Sequence, residues 1–178
     1  MPYSWKHIQY FIFLAWNWGL PLAIFVLRHE IRGEKKYHSR SAGVESIKQH
    51  VAAFDWLHGS IYQPINFFVA ENLFNQLSVA DIEEGSFLDA GCGKGRAMAI
   101  AASFGFRKIY GFDVAPNMSA MATLESKRWQ QFYPASQFHI SCSHAQHYTI
   151  PTTVGVIFLF NPFDNVVMVP FIAQVMAS

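Results

Sequence analysis

The sequence predicts an α/β chain: a doubly wound, mainly parallel sheet behind a helical, hydrophobic N-terminal segment. Three observations carry that prediction. From residue 86 onward, apolar runs of strand length alternate with helical stretches, the order a parallel sheet with crossover helices requires. The first of those runs ends in a glycine-rich turn, Gly91-Cys92-Gly93-Lys94-Gly95, and the second ends in Asp113. Apolar residues make up 52% of the 178 and charged residues 14%, with 17 Phe among them. One sizeable core is therefore within reach, and a disordered chain is excluded.

The formal net charge of +1 excludes a nucleic-acid binder that works through bulk positive charge. Residues 1–50 hold seven Lys/Arg against three Glu, whereas the rest of the chain holds six basic and nine acidic side chains. This shift divides a basic, aromatic head (1–42) from a mildly acidic domain (43–178). No internal repeat or low-complexity segment marks another boundary. Cys92 and Cys142 cannot build a disulfide framework and have no metal-ligand spacing around them, which points to a reducing compartment.

Residues 8–27 carry no charge, a length sufficient in principle to cross a bilayer, and basic residues follow from Arg28. The positive-inside rule would leave the rest of the chain in the cytoplasm. Asn17, Gly19 and Pro21 interrupt the run, however, and Pro21 suits the first turn of a new helix. The preferred expectation is two helices, near 5–17 and 21–36, packed on the body, on a subunit or against lipid. A cleaved signal peptide fits less well, because residues 38–43 offer no small-residue cleavage site.

Val44, Ile47, His50/Val51 and Phe54 recur at helical spacing and predict an amphipathic helix. Pro64 leads into another, with Phe67, Phe68, Ala70, Leu73, Phe74 and Leu77 on its apolar side, and Glu83-Glu84-Gly85 marks a turn. Strands are then expected at 86–90, 108–112, 138–142 and 154–160. The helices between and after them are expected at 96–104, 116–132 and 166–176, the last disturbed by Pro170.

Ligands of such sheets bind beyond the carboxyl ends of the strands. The glycines let the backbone pass close under a ligand, and Asp113, at the end of the next strand, is placed to accept ribose hydroxyls. A dinucleotide fingerprint fails: its sixth position would be Arg96 or Met98, neither small enough for close helix–strand packing. Asp89, two residues before the first glycine, would repel a pyrophosphate but can accept from a ligand ammonium group. The expected ligand has a ribose and an amino-acid-like end.

The stretch Phe87-Leu88-Asp89-Ala90-Gly91-Cys92-Gly93-Lys94-Gly95-Arg96 resembles motif I of the class I S-adenosylmethionine-dependent methyltransferases. Ile109-Tyr110-Gly111-Phe112-Asp113 is similar to the acidic strand that follows it in that family. The resemblance covers roughly residues 60–178. It implies a Rossmann-like fold and S-adenosylmethionine as cofactor, with Asp89, Gly91, Gly93, Gly95 and Asp113 around it. His144, in the step His144-Ala145, stands where many members place an Asp against the adenine amino group.

After the fourth strand, Phe160-Asn161-Pro162-Phe163-Asp164 is similar to the Asn-Pro-aromatic motif of amino- and amide-nitrogen methyltransferases, with one proline where two are frequent. An Asn oxygen and a Pro carbonyl can accept the two N–H bonds of a nitrogen nucleophile and aim its lone pair, while Phe163 stacks on a planar or cationic substrate. The resemblance thus implies Asn161, Pro162 and Phe163 at the reaction centre, with nitrogen preferred and a protein amine or small molecule as acceptor. No segment resembles a nucleic-acid-binding domain. His139, His144 and His147 do not have converging metal spacing, so no metal is expected. Tyr62 is a candidate to close the pocket from the helix before motif I.

The family's sheet has seven strands, and sequence for four is present. That predicts either a partial chain or an oligomer covering the fourth strand's edge. Two rival functions are a nucleoside-binding interaction module without turnover and, behind it, a nicotinamide oxidoreductase.

Overall fold

The computed structural model describes residues 5–46, 48 and 51–178. Eight α-helices, one short 3-10 helix (Ala145–His147) and four strands follow one another in the described residues. The helices before the sheet are α1 (Trp5–Trp18), α2 (Leu20–Lys36), α3 (Ala53–His58), α4 (Phe67–Phe74) and α5 (Val79–Glu84). Then come β1 (Ser86–Ala90), α6 (Arg96–Phe104), β2 (Lys108–Asp113), α7 (Pro116–Phe132), β3 (Gln137–Cys142), β4 (Val154–Leu159) and α8 (Asn165–Ala177).

The strands form one parallel sheet in the order β3-β2-β1-β4. After β1 the chain winds outward through β2 and β3, then returns to the other side of β1. The strand order therefore reverses between β1 and β4, and the crevice beyond their carboxyl ends is the place for a ligand. β1 is buried along its whole length, as an internal parallel strand must be. Its successive residues Phe87 and Leu88 point to opposite faces and belong to two separate cores. One core holds α4, α6 and Trp129 of α7; the other holds Phe112, Ile150 and Phe171 of α8. Pro170 lies inside α8 without ending it.

The uncharged run at 8–27 is not one helix. Gly19 takes φ +89° and Pro21 starts a new helix, so the run folds back as the α1–α2 hairpin. No helix of the described residues is long and apolar enough to cross a membrane. His7 pairs with Glu34 at 3.3 Å across the hairpin. The later turns of α2 dock on the body, and the approach is close: a Cβ at Gly33 would lie 2.1 Å from the ring of buried Phe67. Tyr37 stacks on that ring at 5.7 Å and donates to Glu71 at 2.7 Å.

Two expectations need correction. The helix expected from Val44 onward is absent as far as the described residues show, with helix only at α3; Ile47 and His50 lie outside the described residues. Instead Glu45 bridges antiparallel to Tyr62, which ties together the two ends of a strap that contains α3. The turn expected at 83–85 is the end of α5, a helix started by a capping box in which Ser78 and Asp81 each hydrogen-bond the other's backbone.

Candidate active site

The turn after β1 is set by backbone bonds. Gly91 and Cys92 donate to the Phe112 carbonyl at 2.9 and 2.8 Å, and Gly95 donates to the Cys92 carbonyl at 2.7 Å. Gly93 has φ +53°, and a Cβ there would lie 2.4 Å from the Tyr62 ring, so the position needs glycine on both counts. Gly91 lies directly under Pro162, whose Cβ is 2.3 Å from where a side chain would begin. Gly95 begins α6 and packs on Trp129; it supports the turn from behind and does not line the cleft.

The cleft opens at the β1/β4 switch point, and the other named residues meet there: Asp89, Gly91, Gly93, Asp113, His144, Asn161, Pro162 and Phe163 all line it. Asp113 ends β2 with its carboxylate turned inward, one oxygen accepting from Gly93 N–H and the other from Ala115 N–H, each at 2.8 Å. Burial raises its pKa, and these two bonds offset part of the effect. Asp89 is buried deeper, with no hydrogen bond from any described residue. Burial first, and the Asp113 carboxylate second, push it up to about 8.

The two cations of the turn are engaged by acids from earlier in the chain. Lys94 reaches Glu45 at 2.6 Å, while Arg96 forms a two-pronged pair with Glu30 at 2.8 and 2.7 Å. The floor is therefore a pair of buried carboxyls, one without a partner. A cationic ligand with hydroxyl donors fits it, and a pyrophosphate would meet like charge. The residues present thus fit the aminoacyl, sulfonium and ribose parts of S-adenosylmethionine.

The outer wall is the strap. Tyr62 stands at the bridged end of the strap, outside any helix: its hydroxyl donates to the Ser41 carbonyl at 2.6 Å and its ring covers Gly93. Burial raises its pKa far above the usual phenol value, so it stays neutral. Ser60 N–H donates to the Pro162 carbonyl at 3.2 Å, and Gly59 bridges Phe163. His58 holds Asp164 at 2.8 Å, which lowers the Asp164 pKa, and His144 holds Asp55 at 2.9 Å. Asn161 sits at φ +47°, a left-handed conformation that Asn tolerates better than most residues. That kink turns the chain from β4 back over the glycine turn.

Sequence reasoning missed the acids behind the turn. Lys94 and Arg96 are visible as charges inside an apolar stretch, which signals buried partners, but Glu45 and Glu30 lie far earlier in the chain and nothing local names them.

The profile of a family described as methyltransferase domain matches residues 88–176, half of the chain. The chain belongs to that family. Among solved structures, the methyltransferase domain is similar to protein arginine methyltransferase 10 of Arabidopsis thaliana, at 21% identity and a TM-score of 0.42, covering 51% of this chain and 25% of that one. It is also similar to magnesium protoporphyrin IX methyltransferase from Synechocystis PCC 6803 with bound SAH, at 20% identity and a TM-score of 0.38, covering 49% and 43%. A third is an S-adenosylmethionine-dependent methyltransferase from Clostridium acetobutylicum, at 14% identity and a TM-score of 0.40, covering 49% and 33%. The chain thus spans less than half the length of each of these proteins. No curated protein matches it.

Proposed function

We propose that the chain binds S-adenosylmethionine at the β1/β4 switch point and serves methyl transfer to a nitrogen nucleophile. The head (1–42) buttresses the binding domain (43–178). One observation carries this reading. An unpartnered, buried carboxyl at Asp89 and the left-handed Asn161 turn line the same cleft, with Pro162 resting on Gly91 between them.

S-adenosylmethionine supplies an electrophilic methyl group on a sulfonium sulfur. The chain's own residues bind and orient. Asp89 accepts the ammonium group. Asp113 keeps a free lone pair on each oxygen beyond its two backbone bonds, enough for both ribose hydroxyls. Gly91 and Gly93 let Pro162 and the Tyr62 ring close over the turn beside the ligand, with Gly95 holding the turn in place. His144, fixed through Nδ1 by Asp55, keeps Nε2 for the adenine amino group. Asn161 and the Pro162 carbonyl hold the incoming nitrogen's two N–H groups, and Phe163 stacks against the acceptor. The Pro162 carbonyl is already an acceptor for Ser60, so a lone pair remains for the substrate. The chemistry depends on positioning, with no acid–base residue required. A protein amine or a small amine is the acceptor class that this loop fits.

The test is calorimetric titration of wild type, Asp113→Ala and Asn161→Ala with S-adenosylhomocysteine and, separately, NADH. Wild type binds the first ligand only, Asp113→Ala loses it, and Asn161→Ala retains it. With an acceptor in hand, Asn161→Ala lowers turnover by about 100-fold or more, the scale of a misplaced reacting group. Loss of S-adenosylhomocysteine binding in Asn161→Ala would make that residue structural and remove the nitrogen assignment. A folded wild type that binds neither ligand returns the chain to a non-catalytic interaction module.

A further inference from the structure

We propose that the α1–α2 hairpin seats the protein on an anionic bilayer, entering one leaflet. The hairpin presents an unpartnered apolar surface on both helices, through Ile12, Phe13, Trp16, Trp18, Leu20 and Ile24, with Trp16 89% exposed. Its inward side, by contrast, is committed: Leu14 and Ala23 are buried, and His7 pairs with Glu34. Asn17, the polar residue near the tip, donates its amide to the Phe13 carbonyl at 2.8 Å, so part of its hydrogen bonding is already satisfied within the helix.

Charge identifies the occupant. Where the apolar part of α2 ends, Arg28, Arg32 and Lys35 follow at one-turn intervals, all exposed and without an ion pair among the described residues. The acids of the same helix are engaged elsewhere: Glu30 is buried against Arg96, and Glu34 holds His7 and the Ala42 N–H. The exposed charge around the base of the hairpin is therefore one-sided and positive, complementary to anionic headgroups. The His7–Glu34 contact brings the start of α1 level with this collar, which puts Trp5, 71% exposed, at the height where tryptophan favours a headgroup boundary. A second copy of the chain would bring the same positive collar against itself.

Length sets the depth. The uncharged turns of α2, residues 20–27, rise about 12 Å before Arg28, against a hydrocarbon core of about 30 Å. That is the depth of one leaflet. The hairpin anchors without crossing, which agrees with the lack of a spanning helix in the described residues.

The test is co-flotation of the full chain with vesicles of phosphatidylcholine alone and of phosphatidylcholine mixed with phosphatidylserine. The chain floats with the mixed vesicles, and lipids brominated on their acyl chains quench its tryptophan emission, less so in Trp16→Phe. Arg28→Gln, Arg32→Gln and Lys35→Gln together lower partitioning on the order of 100-fold, the sum of three basic contacts. Ile12→Asp with Ile24→Asp abolishes flotation while leaving the melting temperature unchanged, since both positions are exposed. Equal binding to neutral and mixed vesicles would overturn the anionic assignment. No flotation would overturn the proposal, and a dimer dissociated by the Ile12→Asp, Ile24→Asp pair would assign the face to a second copy.

Discussion

At the floor of the cleft, the ends of two adjacent strands hold one another through backbone N–H groups: Gly91 and Cys92 donate to the Phe112 carbonyl, and Gly93 donates to the Asp113 carboxylate. Directly behind the same turn, where α6 meets the hairpin, the contacts are made by the Arg96 side chain to distant segments. Arg96 donates to Glu30 twice, to Ser41 at 2.7 Å and to the Ile65 carbonyl at 2.6 Å, and its guanidinium lies 4.0 Å from the Phe67 ring centroid. The floor is a local structure that needs only a strand, a glycine turn and the next strand. The seam needs the head. A turn with two inward cations would bind phosphate; here Glu30 of the head engages Arg96 and Glu45 of the strap engages Lys94. The head thus braces the turn from behind through Arg96.

Breaking the seam has the largest expected effect. Arg96→Met leaves Glu30 buried without its partner, which costs about 3–5 kcal/mol by analogy with other split buried pairs. Arg96→Met with Glu30→Leu replaces both charges by apolar groups of similar size and recovers most of that loss. Urea unfolding of the single and double variants measures both. If Arg96→Met unfolds like wild type, the seam is solvated and the head is not bound to the site through this pair.

The same contrast explains what could be read from the sequence. α7 was legible to the residue, because Pro116 starts it and helical sequence runs unbroken to Phe132. The glycine turn, Asp113 and the Asn161 loop were legible because each is punctuated locally by Gly, Pro or a strand end. The strap was not. Beside Val44, Glu45 pairs with Tyr62, whose ring lies over Gly93, a tertiary contact that no local period shows, whereas Phe54 does fall in a helix, α3. α5 was announced by Ser78 and Asp81 three residues apart, a signal that the acidic turn-like end at 83–85 obscured. Glu30 and Glu45 have no local signal at all, since an acid at a helix surface and an acid in a buried pair look the same in one sequence.

Asp89 sharpens the comparison from the floor. It keeps its proton to about pH 8 in the folded chain, against an ordinary value of 3.8. Between those limits the folded state binds the proton and the unfolded state does not, so this group's contribution to stability is greatest below pH 4 and declines as pH rises toward 8. Asp89→Asn flattens that decline. A ligand ammonium beside Asp89 favours the ionised form, so S-adenosylhomocysteine binding at pH 7 releases a fraction of one proton. Calorimetry in two buffers of different ionisation enthalpy reads that fraction, and Asp89→Asn abolishes it. Binding with no proton release would place the ligand's charge away from Asp89.

The smallest effect tests whether floor and seam rules mix at one residue. Asn66 caps α4 by accepting from Phe68 N–H at 2.9 Å, and its amide nitrogen lies 3.4 Å from Glu30. As a helix cap alone, Asn and Asp are equivalent, and Asn66→Ala costs about 1 kcal/mol. Beside Glu30 the equivalence fails, because Asn66→Asp keeps the cap but sets a second carboxylate against a buried one. Asn66→Asp is therefore expected to be less stable than Asn66→Ala at neutral pH. The order closes in acid, where the introduced carboxyl takes up its proton. Thermal melts of the two variants at both pH values decide it. An Asn66→Asp variant as stable as wild type at neutral pH would show that the cap senses only its own helix, and that the field of the Arg96–Glu30 pair ends at the pair itself.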